Sequence, residues 1–210
     1  EAEAEAPFAG LSISPDADFA HPVVAVRVNT PLAEGWSVLT YLDLGGRWLI
    51  VDAATWREAE LLTDDLRAML GSLPIRPLQT ESAPQQVMTD WLAHDRFPAD
   101  LEPGEEAVFE DPRSEGAEVR CKRQDLRSAE IRGHIKAGKR VRRLAMTWDE
   151  RLNAVLDADL SIKRLKFTDV VQSDVDDRDA ESPQERFDAD FAIMAEELGR
   201  FLPRLVAWFD

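Results

Sequence analysis

The sequence is short of the residues from which most catalytic and metal-binding sites are built. It has one cysteine, Cys121, in 210 residues. That excludes an internal disulfide and fits a reducing, cytoplasmic setting. Its three histidines, His21, His94 and His134, are far apart and lack Cys or carboxylate neighbours at ligand spacing, so no zinc site is expected. There is no GxGxxG, Walker or GxSxG motif, and Gly133 and Gly138 lie at the ends of one short helix without forming a phosphate loop. No apolar run approaches the roughly 18 residues of a membrane span. The N-terminus lacks the basic-then-apolar order of a secretion signal. Carboxylate pairs such as Asp64-Asp65 and Asp176-Asp177 fall on polar helix faces or in an acidic stretch, which is no basis for a metal-dependent nuclease. The expectation is a protein that is not an enzyme, with no cofactor, no evident small-molecule substrate and no membrane partner.

What the sequence does have is a sharp division of charge. The chain carries a formal charge of −16, yet Arg113 to Lys166 holds fifteen Lys and Arg against eight Asp and Glu, or +7. The remainder is therefore at −23. Such asymmetry points to a surface for a polyanion on an otherwise repulsive body, although a charge run is more often just a solvated face. Three clusters stand out. They are Arg120, Lys122 and Arg123 with Gln124; then Lys136, Lys139, Arg140, Arg142 and Arg143; then Lys163, Arg164 and Lys166. No aromatic residue interleaves with them, so backbone contact is expected rather than base stacking.

The hydrophobic pattern supports an α+β fold. Val23 to Val28, Trp36 to Leu42 and Arg47 to Ala53 read as strands, the last two a hairpin about Gly45-Gly46. Thr55-Trp56-Arg57-Glu58 is a capping box opening a helix that stops near Gly71. A second helix starts at Ser82 to Gln85, and a loop with Pro98 and Pro103 runs from Phe97 to Gly104. Glu106 to Glu110 and Ala117 to Lys122 are strands, Ser128 to Ala137 a helix closed by Gly138. Arg140 to Thr147, Leu152 to Leu156 and Ile162 to Phe167 then form an antiparallel meander, because the connections are too short for a crossover. On the last strand, alternation turns Leu165 and Phe167 inward and Arg164 and Lys166 outward. Residues 173–185 read as an acidic linker. Residues 186–210 read as a C-terminal helix packed on the domain, with Phe187, Phe191, Met194, Leu198, Phe201 or Leu202, Leu205 and Trp208 on its apolar stripe. Residues 1–7, Glu-Ala-Glu-Ala-Glu-Ala-Pro, look like a processing remnant and carry no weight in the fold reading.

Several blocks, in order, resemble the C-terminal half of the RdgC family of recombination-associated proteins. They are Leu49 to Ala53, Gly71 to Pro74, Arg120 to Leu126, Ala137 to Lys139 before Leu144 to Trp148, Lys163 to Phe167, and Arg186 to Phe191. Together they span about Arg47 to Leu205. The resemblance defines residues 47–172 as an RdgC-like α+β domain and leaves 1–46 as an unmatched N-terminal segment. It implies a bacterial, nucleoid-associated protein that binds DNA, duplex rather than single strand, without sequence preference. It also implies a homodimer that closes as a ring around the duplex, restraint of recombinase-driven strand exchange, and no catalysis. Lys122, Arg123 and Gln124 are the residues the resemblance itself carries over. The family's N-terminal half has no counterpart in the first 46 residues. The competing reading is an acidic protein-interaction module, an inhibitor or partner of a DNA-binding protein, without DNA binding of its own.

Overall fold

The structure is a computed structural model and describes residues 23–29, 37–114, 116–171 and 183–210. It is an α+β fold that divides into two compact units, Glu1–Pro77 and Leu78–Asp210. The acidic stretch 173–182, Trp36, and residues 1–22 fall outside the described residues.

In the first unit β1 (Val23–Asn29), β2 (Ser37–Asp43) and β3 (Trp48–Asp52) form an antiparallel meander in the order β1-β2-β3. Val23 pairs with Asp43, and Asp43 with Trp48. The position 46/47 boundary expected from sequence lies in the β2–β3 turn of this sheet. Helix α1 (Trp56–Leu70) opens on the expected capping box. The Thr55 N–H donates to the Glu58 carboxylate at 3.0 Å and the Glu58 N–H to the Thr55 hydroxyl at 3.3 Å. Gly71 ends it in the left-handed region at φ 76°. Leu62 and Leu66 pack on Val51, Ala53 and Leu73 to make the core of this unit.

The second unit is a five-stranded antiparallel sheet in the order β5-β4-β6-β7-β8. Its strands are β4 (Leu101–Glu110), β5 (Glu118–Lys122), β6 (Arg140–Trp148), β7 (Leu152–Asp157) and β8 (Ile162–Phe167). Among the described residues its longer helices are α2 (Pro84–His94), α3 (Ala129–Lys136) and α4 (Pro183–Ala207). The expected β6-β7-β8 meander is present. One expected loop is not: β4 starts at Leu101 and runs through Pro103 and Gly104. Proline cannot donate to a ladder, and β4 tolerates it because the pairing with β6 shifts between Pro103 and Ala107. At Gly104 the backbone also approaches β6 closely. A Cβ there would stand 2.9 Å from the Ala145 Cβ.

Burial separates the two faces of this sheet. Phe109, Leu144, Met146, Trp148, Leu152 and Leu156 are buried. The helices cover that face. Phe109 meets His134 of α3 at 5.7 Å between rings, and Trp148 meets Phe201 of α4 at 5.3 Å. The Trp91 ring of α2 lies 5.4 Å from that of Phe209. The apolar stripe of α4 is core from Ile193 onward, whereas Phe187 is exposed and stacks on Phe191. A second shift in the β4–β6 ladder, between Val108 and Phe109, is stitched by α2. The Val141 N–H donates to the buried Thr89 hydroxyl at 2.9 Å, and that hydroxyl donates to the Gln85 carbonyl at 2.6 Å. Thr89→Val keeps the shape but orphans a buried donor. It is expected to cost about 1–3 kcal/mol, read as a shift of the urea midpoint at constant slope.

Candidate nucleic-acid interface

With helices on one face, the other face of the five-stranded sheet carries the charged residues. Strand pairing sets Lys122 opposite Glu106, Arg120 opposite Val108, Val108 opposite Arg143, and Arg143 opposite Asp157. Val155 faces Lys163, and Asn153 faces Lys166. Two ladder irregularities add cations to this face. Between Asn153 and Val155 the β7–β8 register shifts, and Arg164 sits there at φ 52°. The extra residue lets Lys163, Arg164 and Lys166 all emerge on the same side, one more than alternation alone allows. On β6 the shift between Val108 and Phe109 leaves Arg142 without a direct partner across from it. Arg142 joins Arg143 on the open face, reaching Glu118. Arg120, Lys122, Arg143, Lys163 and Arg164 line one depression of about 270 Å³, floored by Ala107, Val108, Cys121 and Val155.

These cations are not bare. Glu118 accepts from Arg120 at 2.8 Å and from Arg142 at 3.1 Å. Asp157, with a side chain only 5% exposed, is shared by Arg143 at 2.6 Å and Lys163 at 3.5 Å. Glu106 pairs with Arg164. The hydrogen bond from Arg164 holds the Glu106 carboxyl below its ordinary range, with Lys122 and Arg123 adding to the effect. The hydrogen bond from Arg120 does the same for Glu118. Glu118 and Asp157 each serve two cations and Glu106 one, which leaves a positive surplus. Lys122 and Lys166 on this face have no carboxylate within ion-pair distance among the described residues.

Other sequence candidates lie elsewhere. Lys136 is exposed on α3, which packs on the covered face. Lys139 is tied to Asp111 at 3.4 Å in the turn after α3. Arg140 begins β6 opposite Glu110 at the end of the sheet. So the second cluster divides, with Arg142 and Arg143 on the open face and Lys136 and Lys139 off it. Among the described residues, no three His, Cys, Asp or Glu side chains are grouped to hold a metal ion. No described helix is long and apolar enough to cross a membrane.

A family model described as "Putative exonuclease, RdgC" matches residues 34–210. The chain belongs to the RdgC family. Among curated relatives, the "Recombination-associated protein RdgC" of Halorhodospira halophila is 54% identical over 169 residues, which is 80% of this chain and 56% of the relative. The protein of that name from Pseudoalteromonas atlantica is 44% identical over 162 residues, 77% of this chain and 54% of the relative. That from Psychromonas ingrahamii is 39% identical over 169 residues, covering 80% and 56%. The chain thus spans about half the length of the curated relatives it matches. The family match begins at residue 34, inside the segment that the block resemblance leaves unmatched.

The RdgC-like block Lys122-Arg123-Gln124 turns the corner from β5 toward α3. Arg123 takes φ 52° there, so Lys122 and Arg123 are both exposed at the end of the strand. Gln124 is more constrained. Its N–H donates to the Glu105 carbonyl at 3.2 Å and its side-chain amide to Glu130 of α3 at 2.7 Å. Sequence reasoning missed Glu106, Glu118 and Asp157 as members of this face. Strand alternation relative to Phe109 was a usable signal for Glu106, but nothing local pointed to its partner.

Proposed function

We propose that the open face of the five-stranded sheet binds the phosphate backbone of DNA without reading its sequence, and that the protein acts in homologous recombination without catalysing a reaction. The observation that carries this reading is the meeting of Arg120, Lys122, Arg142, Arg143, Lys163, Arg164 and Lys166 on one side of one sheet. Phosphate contacts of this kind supply affinity but carry no base information. The apolar residues among them are Val108, Ala145 and Val155, while Phe109 and Trp148 lie on the covered face. With no aromatic platform for unstacked bases among the described residues of this face, it suits a duplex better than a single strand. The family resemblance adds a second copy of the chain, closing around duplex DNA on the bacterial nucleoid in the cytoplasm.

The test is a salt titration of duplex binding by the full chain. Lys122→Glu, Arg123→Glu and Lys166→Glu together reverse three exposed cations. Kd for a duplex of arbitrary sequence should rise roughly tenfold or more, and the slope of log K against log salt should shrink by about 0.9 for each phosphate no longer neutralised. Unchanged affinity would sink the reading. A net charge of −16 and the pairing of most face cations with carboxylates favour a second reading, an acidic module that captures a basic protein partner. Absence of duplex binding even at low salt, with capture of a basic partner, would support that one. The description of the family as an exonuclease adds a direct assay. Release of nucleotides from a labelled duplex with magnesium or manganese should be blank.

A further inference from the structure

The Glu106–Arg164 pair is unlike the other ion pairs of the open face. Glu106 is on β4 and Arg164 on β8, with β6 and β7 between them. Three strand spacings amount to about 14 Å, whereas ordinary cross-strand partners have Cβ atoms about 5 Å apart. Both side chains therefore extend over the sheet to meet. Glu106, Val108, Arg143, Val155 and Arg164 are all lining residues of the same depression, so the pair spans it as a strap. The Arg164 end is set by the β8 irregularity and its positive φ.

We infer that the Glu106–Arg164 pair is a latch across the cationic depression, opened when a DNA phosphate takes the place of the Glu106 carboxylate on Arg164. The inference rests on the proposed DNA-binding role of this face. Glu106 mimics the ligand: it is an anion already seated among Arg164, Lys122 and Arg123, the groups that hold its carboxyl ionised. The seat is exchangeable, because the Glu106 and Arg164 side chains are 31% and 59% exposed, and pairs open to solvent are weak. Asp157 differs. At 5% exposure it is buried beneath Arg143 and Lys163 and fixes where those cations stand, rather than leaving the site. A phosphate has more charge-assisted acceptor positions than a single carboxylate oxygen and bonds a guanidinium bidentately, so it competes well for Arg164. Displaced Glu106 then lies free beside the bound polyanion and repels it. The latch thus lowers the affinity of the face for DNA and blunts its salt response.

The test uses the full chain and a fluorescein-labelled duplex, with anisotropy read across a salt series for the parent, Glu106→Gln and Glu60→Gln. Glu60 is exposed on α1 in the first unit and controls for the loss of one negative charge. Glu106→Gln is expected to tighten binding about two- to fivefold, the exchange energy of an exposed pair, and to steepen the salt slope by up to about one. Glu60→Gln should do neither. If the parent binds, the triple reversal of Lys122, Arg123 and Lys166 weakens binding roughly tenfold or more as expected, and Glu106→Gln matches Glu60→Gln, the latch alone is overturned. If neither the parent nor Glu106→Gln binds duplex at low salt, the DNA-binding reading falls and the latch with it.

Discussion

Glu197→Ala should destabilise the second unit by about 3–5 kcal/mol, because it breaks one side of a buried ion pair. Glu197 lies on α4 with 2% of its side chain exposed. The Arg151 guanidinium, in the β6–β7 turn, donates to it in a forked arrangement, Nε at 3.0 and 3.1 Å and Nη2 at 2.7 Å. Arg200, on the same helix, reaches the Glu197 carboxylate at 3.5 Å. Removing the carboxylate takes the forked Glu197 partner away from an Arg151 side chain that is only 22% exposed. Arg151→Ala leaves the buried Glu197 anion with Arg200 at 3.5 Å and should cost less. The comparison with a double replacement by apolar residues of like volume separates two effects. A buried pair often contributes little net stability while half a pair is costly, so the double variant should recover most of the loss. Urea unfolding followed by tryptophan fluorescence reads all three. A loss below about 1 kcal/mol for Glu197→Ala would show that α4 is not held to the sheet by this pair.

The second large effect is expected at Asp100 and depends on pH. Its carboxylate accepts from Arg204 Nε at 2.7 Å and from the indole N–H groups of Trp148 and Trp208, each at 3.2 Å. One side chain just before β4 thereby ties β6 to the C-terminal turn after α4. The Arg204 hydrogen bond chiefly, with the two indoles, draws the Asp100 carboxyl down to about 2 against the opposing effect of burial. A folded-state pKa below the unfolded value of 3.8 means stability that is present above about pH 4. It is lost as pH falls through about 2. Asp100→Asn should therefore flatten the acid limb of a stability–pH profile between about pH 4 and 2. Asp100→Ala should cost about 2–3 kcal/mol at neutral pH, because two buried indole donors lose their acceptor. An unaltered acid limb in Asp100→Asn would refute the assignment.

These two anchors hold α4 and the turn after it to one face of the sheet, opposite the face proposed to bind DNA. Much of that architecture is legible in the chain. The Thr55–Glu58 capping box, the Gly71 and Gly138 helix stops and the short β6-β7-β8 connections depend on residues within a few positions of one another. Their physics is local, and each element stands where the pattern puts it. β4 begins earlier than its sequence suggests, since Pro103 and Gly104 are poor strand residues. Only the shifted pairing with β6 makes room for them. In the same way, Phe209 belongs to the core against Trp91, although the helical stripe of α4 passes it by.

That a net-acidic chain concentrates its cations between Arg113 and Lys166, and that Arg164 and Lys166 leave the core side of their strand, is legible in the order of residues alone. Tertiary structure decided which cations meet. It gathered Arg120, Lys122, Arg142, Arg143 and Lys163 with those two, and left Lys136 and Lys139 aside. It also decided how much of that charge is available, by seating Glu118, Asp157 and Glu106 among them. The reason is range. The side on which a residue emerges follows from alternation over two positions, but the partner of a charge is chosen by sheet order and bulges, and Glu106 and Arg164 are 58 positions apart.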